Sequence, residues 1–227
     1  MTDAAQSPEP DPLEPVREAI LLAAVEHAAF DGWTDGLIER AADEAEIPQN
    51  QALLAFPGGA RELVEYFSTW ADAKMVEALS THALDNLRIR DKIALAVRLR
   101  LEVCAPYREA VRRAVTFETV PVNSPSAAAL IARTSDEIWR AIGDQSHDFN
   151  FYTKRVLLGG VYSASLLYWL GDGSPGTADS WAFIDRRIDN VMQFQKMKGE
   201  VEKVAGRLPN PVKILAGLRY PGPSRRF

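Results

Sequence analysis

ILLAAVEHAAFDGWTDGLIERAADEAEIPQNQALLAFPGGARELVEYF, Ile20 to Phe67, carries apolar residues at helical spacing and is broken three times, at Asp31-Gly32, Ile47-Pro48 and Pro57-Gly58-Gly59. This pattern predicts a helix from about Leu13 to Phe30, with Ile20, Val25 and Phe30 turned inward. A second helix is capped by Thr34 and runs through Leu37, Ile38 and Ala41 to about Glu46. A third, short one comes after the Ile47-Pro48 turn and ends at Phe56. Three helices in about 45 residues, none long enough to bury itself, have to pack on one another and on the helices of the remaining chain.

Working outward, the spacing stays helical and strand-type alternation is nearly absent. A long fourth helix is expected over about Ala60 to Leu84, carrying Leu63, Phe67, Trp70, Met75 and Leu79. Further helices are expected from Asp91 to Cys104, from Pro106 to Phe117, from Ser126 to Ile142, from Asp148 to Leu170, and from Ser174 or Asp179 to Lys198. A loop at Pro121–Pro125 and a turn at Gly143–His147 separate some of them, and Val212 to Arg219 forms a last short helix. The chain is therefore read as all-α, with about nine or ten helices. Its expected parts are a disordered acidic leader (1–12), a three-helix head (13–58), a helical body (59–198) and a basic amphipathic tail (199–227).

Composition excludes several classes. With 227 residues, 47% of them hydrophobic, the chain can bury a sizeable core. Met1 to Pro15 has neither the basic start and apolar block of a secretory signal nor the arginines of a transit peptide, so a cytoplasmic protein is expected. The uncharged run Val156 to Leu170 falls short of the roughly 20 apolar residues of a membrane span. Cys104, the single cysteine, lies beside Leu101 and Val103 and is read as a buried structural thiol. His27, His82 and His147 are scattered, Asp144-x-x-His147 has no second copy, and no nucleophile–base grouping or phosphate-cradling loop is present. Facing-helix metal sites need such groups repeated, so no catalytic residue and no metal ligand is assigned.

Charge sharpens the reading of the head. Residues 1–50 hold two bases and twelve acids, so 2 − 12 gives −10, whereas residues 51–227 hold 24 − 19, or +5. From Lys203 onward there are six bases and no acid. Ala23-Ala24, Phe30, Gly32-Trp33, Ile38 to Ala42, Phe56 and Leu63 resemble the helix-turn-helix head of TetR-type repressors. A recognition helix needs bases for phosphates and polar forks for base edges. Here the segment Ile47 to Phe56 has no charge, only Gln49, Asn50 and Gln51. Glu46 stands where such heads have glycine, Pro48 where they have a capping serine, Leu53 where they have a phosphate-contacting tyrosine, and Gly58-Gly59 replaces the loop before the usual lysine. The resemblance therefore implies a TetR-like fold with a degenerate head that does not bind nucleic acid.

A second resemblance is carried by Ile138 to Arg155 (IWRAIGDQSHDFNFYTKR), by Phe30-Asp31-Gly32-Trp33 and by Trp181 to Ile188 (WAFIDRRI). Over about residues 16–196 the chain is similar to the ubiquinone-biosynthesis accessory protein family numbered nine in the coenzyme Q pathway. That likeness implies a TetR-like homodimer that binds lipid, either an isoprenoid quinone intermediate or a phospholipid, and that assists the demethoxyubiquinone hydroxylase. It also implies that the corner around Gly143 to Arg155 meets the hydroxylase. Asp148, Asn150 and Tyr152 match, while Phe151 stands where tryptophan is expected in animal members.

The residues themselves support three candidate surfaces. Val97, Leu101, Leu130, Trp139, Leu157, Leu158, Val161, Leu166, Trp169, Trp181 and Ile184 supply the apolar wall of a lipid pocket, and Gly159-Gly160 makes room for a ligand, a tight helix crossing or a dimer contact. Phe149, Phe151 and Tyr152 cannot all face one core. Some aromatic surface is left beside Asp144, Asp148, Asn150 and Arg155, which makes either a partner-binding corner or a dense helical turn capped by Asp148. In the tail, Ile214, Leu215 and Leu218 share a face with Lys203, Arg207, Lys213 and Arg219 around them, as in a weak amphipathic membrane anchor. The expectation is a non-enzymatic lipid-binding accessory protein, peripheral on the inner face of a bacterial inner membrane. The alternatives are a ligand-responsive TetR-type repressor and a dimeric scaffold whose pocket is merely core.

Overall fold

The computed structural model describes residues 11–119, 124–144 and 149–205, with 124–125, 149–151 and 194–205 described by backbone alone. The described residues form nine α-helices and two short 3-10 turns, with no strand: α1 (Glu14–Asp31), α2 (Asp35–Glu44), α3 (Gln49–Ala55), α4 (Gly59–Ser80), α5 (Ile89–Cys104), α6 (Arg108–Glu118), α7 (Ser124–Ala141), α8 (Phe149–Gly171) and α9 (Ala178–Ala205). The expected helix at Val212 to Arg219 lies outside them. The chain divides into two compact units, Met1–Asp185 and Arg186–Phe227, so the head helices share a unit with most of the body.

The head forms where the breaks predict it. Gly32 ends α1 at a φ of 76°, which glycine adopts without the steric cost of a Cβ. The end of α2 is a Schellman motif: Ile47 N–H donates to the Ala42 carbonyl at 2.8 Å, and Glu46 N–H donates to that of Asp43 at 3.2 Å. Glu46 takes the left-handed position of that motif, at φ 55°. Thr34 has the extended backbone of an N-cap, but its side chain makes no capping bond. Its neighbour Asp35 uses Oδ1 to accept from Ala60 N at 2.8 Å, which ties the start of α2 to that of α4. A Cβ on Gly59 would run into the same carboxylate. This explains why a second glycine follows Gly58.

One inward assignment is overturned. Phe30 is 83% exposed. The buried stripe of α1 is Ile20, Leu21, Ala24, Val25 and Ala28, and Phe30 lies two residues past Ala28, roughly 200° round the axis at 3.6 residues per turn. Several boundaries also shift, three of them as follows. Helix α4 stops at Ser80 rather than Leu84, α5 starts at Ile89 rather than Asp91, and α9 continues past Lys198 to Ala205.

Head and body are joined by aromatic and polar contacts. Trp33 donates from Nε1 to the Ala110 carbonyl at 3.0 Å and stacks on Phe67 at 5.5 Å. Within the body, Arg108 donates to the carbonyls of Trp169 and Asp172, and Arg112 to that of Leu170 at 2.5 Å, so cations at the start of α6 meet the negative end of α8. Asp172 itself accepts from Ser180 Oγ at 2.5 Å, from Ser174 N at 2.7 Å and from Ser180 N at 2.9 Å, and these donors, the Ser180 hydroxyl first, hold its carboxyl far below the usual carboxylate range.

Where α4, α5 and α7 meet, a charged pair is sealed inside. Arg100 donates from Nε to Asp72 Oδ1 at 2.7 Å, and Thr134 Oγ1 lies 3.0 and 3.1 Å from the two Asp72 oxygens. Both side chains are at most 5% exposed. Such a pair contributes little net stability, because the desolvation of two charges offsets their attraction, but losing one partner strands the other. It therefore sets which faces of α4, α5 and α7 can pack together.

Candidate functional site

An apolar cleft of about 290 Å³ lies against this buried pair. Five helices build it: α4 supplies Val64, Phe67 and Ser68, α5 supplies Arg100 and Cys104, and α6 supplies Val111, Ala114, Val115 and Glu118. Ala127, Leu130, Ile131 and Thr134 come from α7, and Tyr162, Ser163, Leu166 and Leu167 from α8. Leu167 is 60% exposed, so apolar lining continues to the surface.

The polar groups in this lining are few and unequal. Arg100 is turned onto protein: besides Asp72 it donates to Cys104 Sγ at 2.8 Å and to the Ser68 carbonyl at 3.1 Å, and its guanidinium lies over the Tyr162 ring at 6.0 Å. Burial pushes the thiol of the buried Cys104 up, and burial also raises the Tyr162 phenol to about 12. Glu118 is different. It is 7% exposed, and neither carboxyl oxygen has a hydrogen-bond partner among the described residues. Burial first, and the Glu65 carboxylate second, push its carboxyl up against the pull of Arg61.

Of the residues expected to line a lipid pocket, the cleft brings together Leu130 and Leu166. Val97, Leu101, Leu158, Val161 and Ile184 are buried elsewhere in the core, and Leu157 and Trp181 are half-buried outside the cleft. Trp139 is buried with the Lys154 ammonium 5.2 Å from its ring centroid, and Trp169 is buried with the Arg108 guanidinium 4.8 Å from its own. Gly159 does not line the cleft either. Its absent side chain admits Ile131, whose Cγ2 would lie 3.1 Å from a Cβ there, so this glycine serves the crossing of α7 and α8.

Arg100, Tyr162 and Glu118 escaped the reading of the sequence, although two of them leave a trace in it. Glu118 follows Ala110 and Ala114 at intervals of four, and Arg100 follows Ile93 and Val97 in the buried stripe of α5. A lone charge in an apolar stripe marks a buried polar contact or a site.

Ion pairs tie the end of α7 and Asp144 to the first turns of α8. Arg155 Nε lies 2.5 Å from Asp136 Oδ1, Lys154 Nζ lies 2.8 Å from Asp144 Oδ1, and Arg140 pairs with Asp136 at 2.6 Å. On the outer side Tyr152 is 70% exposed and Val156 74%. Asp148 and His147 lie outside the described residues, and Asn150 and Phe151 are described by backbone alone. In helix α3, Leu53 and Leu54 are 67% and 65% exposed, and Gln49 is turned back onto the Glu39 carbonyl and Asp43. His27 Nε2 lies 2.5 Å from Glu44 Oε2 on the head surface, and His82 Nδ1 lies 3.0 Å from the Ala78 carbonyl at the end of α4. Among the described residues no group of three His, Cys, Asp or Glu side chains could hold a metal, and no helix is long and apolar enough to cross a membrane. In the tail, the side chain of Lys203 is not described, and Arg207, Lys213, Ile214, Leu215, Leu218 and Arg219 lie outside the described residues.

The same body helices carry a family signature. The COQ9 family model matches residues 124–195, which span α7, α8 and most of α9. Ubiquinone biosynthesis protein COQ9, mitochondrial, from Drosophila melanogaster is 34% identical over 197 residues, covering 84% of this chain and 59% of that protein. Its counterpart from Rattus norvegicus is 31% identical, covering 86% and 64%, and that from Homo sapiens is 30% identical, covering 86% and 63%. Over most of its length this chain is similar to these COQ9 proteins. It spans only 59% to 64% of the length of these three relatives. The crystal structure of the TetR transcriptional regulator from Nitrosomonas europaea ATCC 19718 superposes with a TM-score of 0.64 at 20% identity, covering 78% of this chain and 97% of that one. The fold is thus TetR-like. The stretch matched by the COQ9 model includes the α7 and α8 walls of the cleft and the Asp144 to Val156 corner, whereas Arg100 and Glu118 lie before it.

Proposed function

We propose that this protein is a non-enzymatic accessory protein of ubiquinone biosynthesis that holds a polyprenylated quinone intermediate in the α4–α8 cleft and presents it to the demethoxyubiquinone hydroxylase. The observation that carries this reading is the apolar cleft in a chain homologous to proteins named for ubiquinone biosynthesis. Its volume of about 290 Å³ is near the lower end of small-molecule sites, suited to a ring and its adjoining carbons rather than a whole isoprenoid chain. A polyprenyl tail is stable in the bilayer, so a hydroxylase working on the ring needs a helper that lifts the head group and sheaths the first apolar carbons. In this reading the protein works as a homodimer on the inner face of the bacterial membrane, and its basic tail supplies the attachment.

Organic extraction and mass spectrometry of the purified full chain test the reading. An isoprenoid quinone or its precursor is expected in the extract. Recovery of nothing specific would overturn the proposal in favour of a scaffold whose cleft is only core.

The partner surface in this reading is the outer side of the α7–α8 corner. Tyr152, 70% exposed, is the kind of rigid aromatic anchor on which interfaces depend. Tyr152→Ala is expected to abolish co-purification with the hydroxylase and to leave the melting temperature unchanged. An undiminished pull-down would remove this surface from the proposal.

A further inference from the structure

Among the described residues Glu118 is a buried carboxyl without a hydrogen-bond partner, whereas the buried Arg100 and Asp72 pair closely with each other. A native structure rarely strands such a group, because losing water without gaining a hydrogen bond costs roughly 1–3 kcal/mol. The neighbouring cation does not relieve it. Arg61 donates from Nε to Glu65 Oε1 at 3.0 Å and to Ser126 Oγ at 3.1 Å, and Ser126 donates to Glu65 at 2.8 Å, which closes that trio on itself. Among the described residues both Glu118 oxygens stay unbonded, in a lining that also holds the apolar Val111, Val115 and Leu130.

What could meet this carboxyl is limited by the rest of the lining. A phosphate or carboxylate head needs a cation with N–H groups to spare, and Arg100, the cation of the lining, has its donors directed to Asp72, Cys104 and Ser68. A carboxyl can accept a bond from a hydroxyl, and in its neutral form, which burial favours here, it can also donate one to a carbonyl. An uncharged oxygen on an apolar frame satisfies it either way. We infer that Glu118 is the specificity-determining polar anchor of the cleft, holding the uncharged ring oxygen of a phenol or quinone and turning away amphiphiles with anionic heads. The inference rests on the reading of the cleft as a ligand site and narrows its occupant to the quinone class over phospholipid.

Calorimetric titration of the full chain with three probes tests it: a phenol, a benzoate and an unsubstituted benzene, each carrying the same short isoprenoid chain. The wild type is expected to bind the phenol about tenfold more tightly than either of the others, the worth of one good buried hydrogen bond. Glu118→Leu should bring the phenol down to the affinity of the benzene probe, and Glu118→Gln, which keeps a donor and an acceptor, should retain most of the preference. Benzoate bound as tightly as phenol by the wild type, a comparison that needs no variant, would overturn the inference. So would an undiminished phenol preference in a folded Glu118→Leu protein. If the wild type binds none of the probes, or if filling the cleft with Leu166→Trp leaves all binding unchanged, the reading of the cleft itself fails and this inference falls with it.

Discussion

Glu46 shows how one residue can record what a structural position demands. The turn after α2 needs a left-handed residue to satisfy the last carbonyls of the helix, and glycine takes that conformation without a clash. Glutamate takes it at roughly 1–2 kcal/mol, part of which glycine would give back through its freer unfolded chain. Glu46→Gly is therefore expected to stabilise the protein by about 0.5 kcal/mol, seen as a rise of roughly 2 °C in calorimetric melting. A lower melting temperature would show that the carboxylate has a compensating role. Glu118 is the counterpart inside the fold, since it too breaks the local rule of its helix. Its place at the third step of the Ala110, Ala114 stripe was legible in the sequence. That it meets a cleft rather than a buried cation was not, because α4, α7 and α8 decide what lies opposite.

Among the elements, α7 and α8 combine the matched family region with a wall of the cleft, and two adjacent glycines separate packing from freedom there. Gly159 faces Ile131 and Ser135 across the helix crossing, whereas Gly160 has no atom within 4 Å of where a Cβ would stand. Gly160→Ala should therefore raise stability by roughly 1 kcal/mol through helix propensity alone. Gly159→Leu should lower it by about 1–3 kcal/mol by forcing α7 and α8 apart. Urea unfolding of the two variants checks both, and effects of the same sign would rule out the close crossing. The pair Gly159-Gly160 was conspicuous in the sequence, but adjacent helical residues point about 100° apart, so their shared composition hid two different surroundings. Helix α3 gives the same lesson in reverse: its lack of charge was plain in the sequence, whereas the exposure of Leu53 and Leu54 came with the structure.

At the scale of the whole molecule, charge divides the chain, with −10 over residues 1–50 and six bases without an acid from Lys203 onward. An anionic surface, whether DNA or lipid, should repel the first segment and attract the last, each base near a membrane adding about 1 kcal/mol. In flotation with vesicles of mixed neutral and anionic phospholipid, the full chain should rise with the lipid, and a chain ending at Val201 should remain at the bottom of the gradient. Equal flotation of the two would show that the basic tail is not the anchor. The all-helical class, the order of helices, the breaks at Gly32, Pro48 and Gly59 and the absence of charge from Ile47 to Phe56 were all present in the sequence. They depend on interactions between residues close along the chain or on composition, which local periodicity and charge record directly. The orientation of Phe30, the missing side-chain cap at Thr34, the sealed Arg100–Asp72 pair and the cleft that takes Leu130 and Leu166 but not Val97 or Trp169 came only with the tertiary structure. The apolar faces of the body helices look alike in sequence, and which of them closes on protein and which stays open to a ligand depends on how five helices cross.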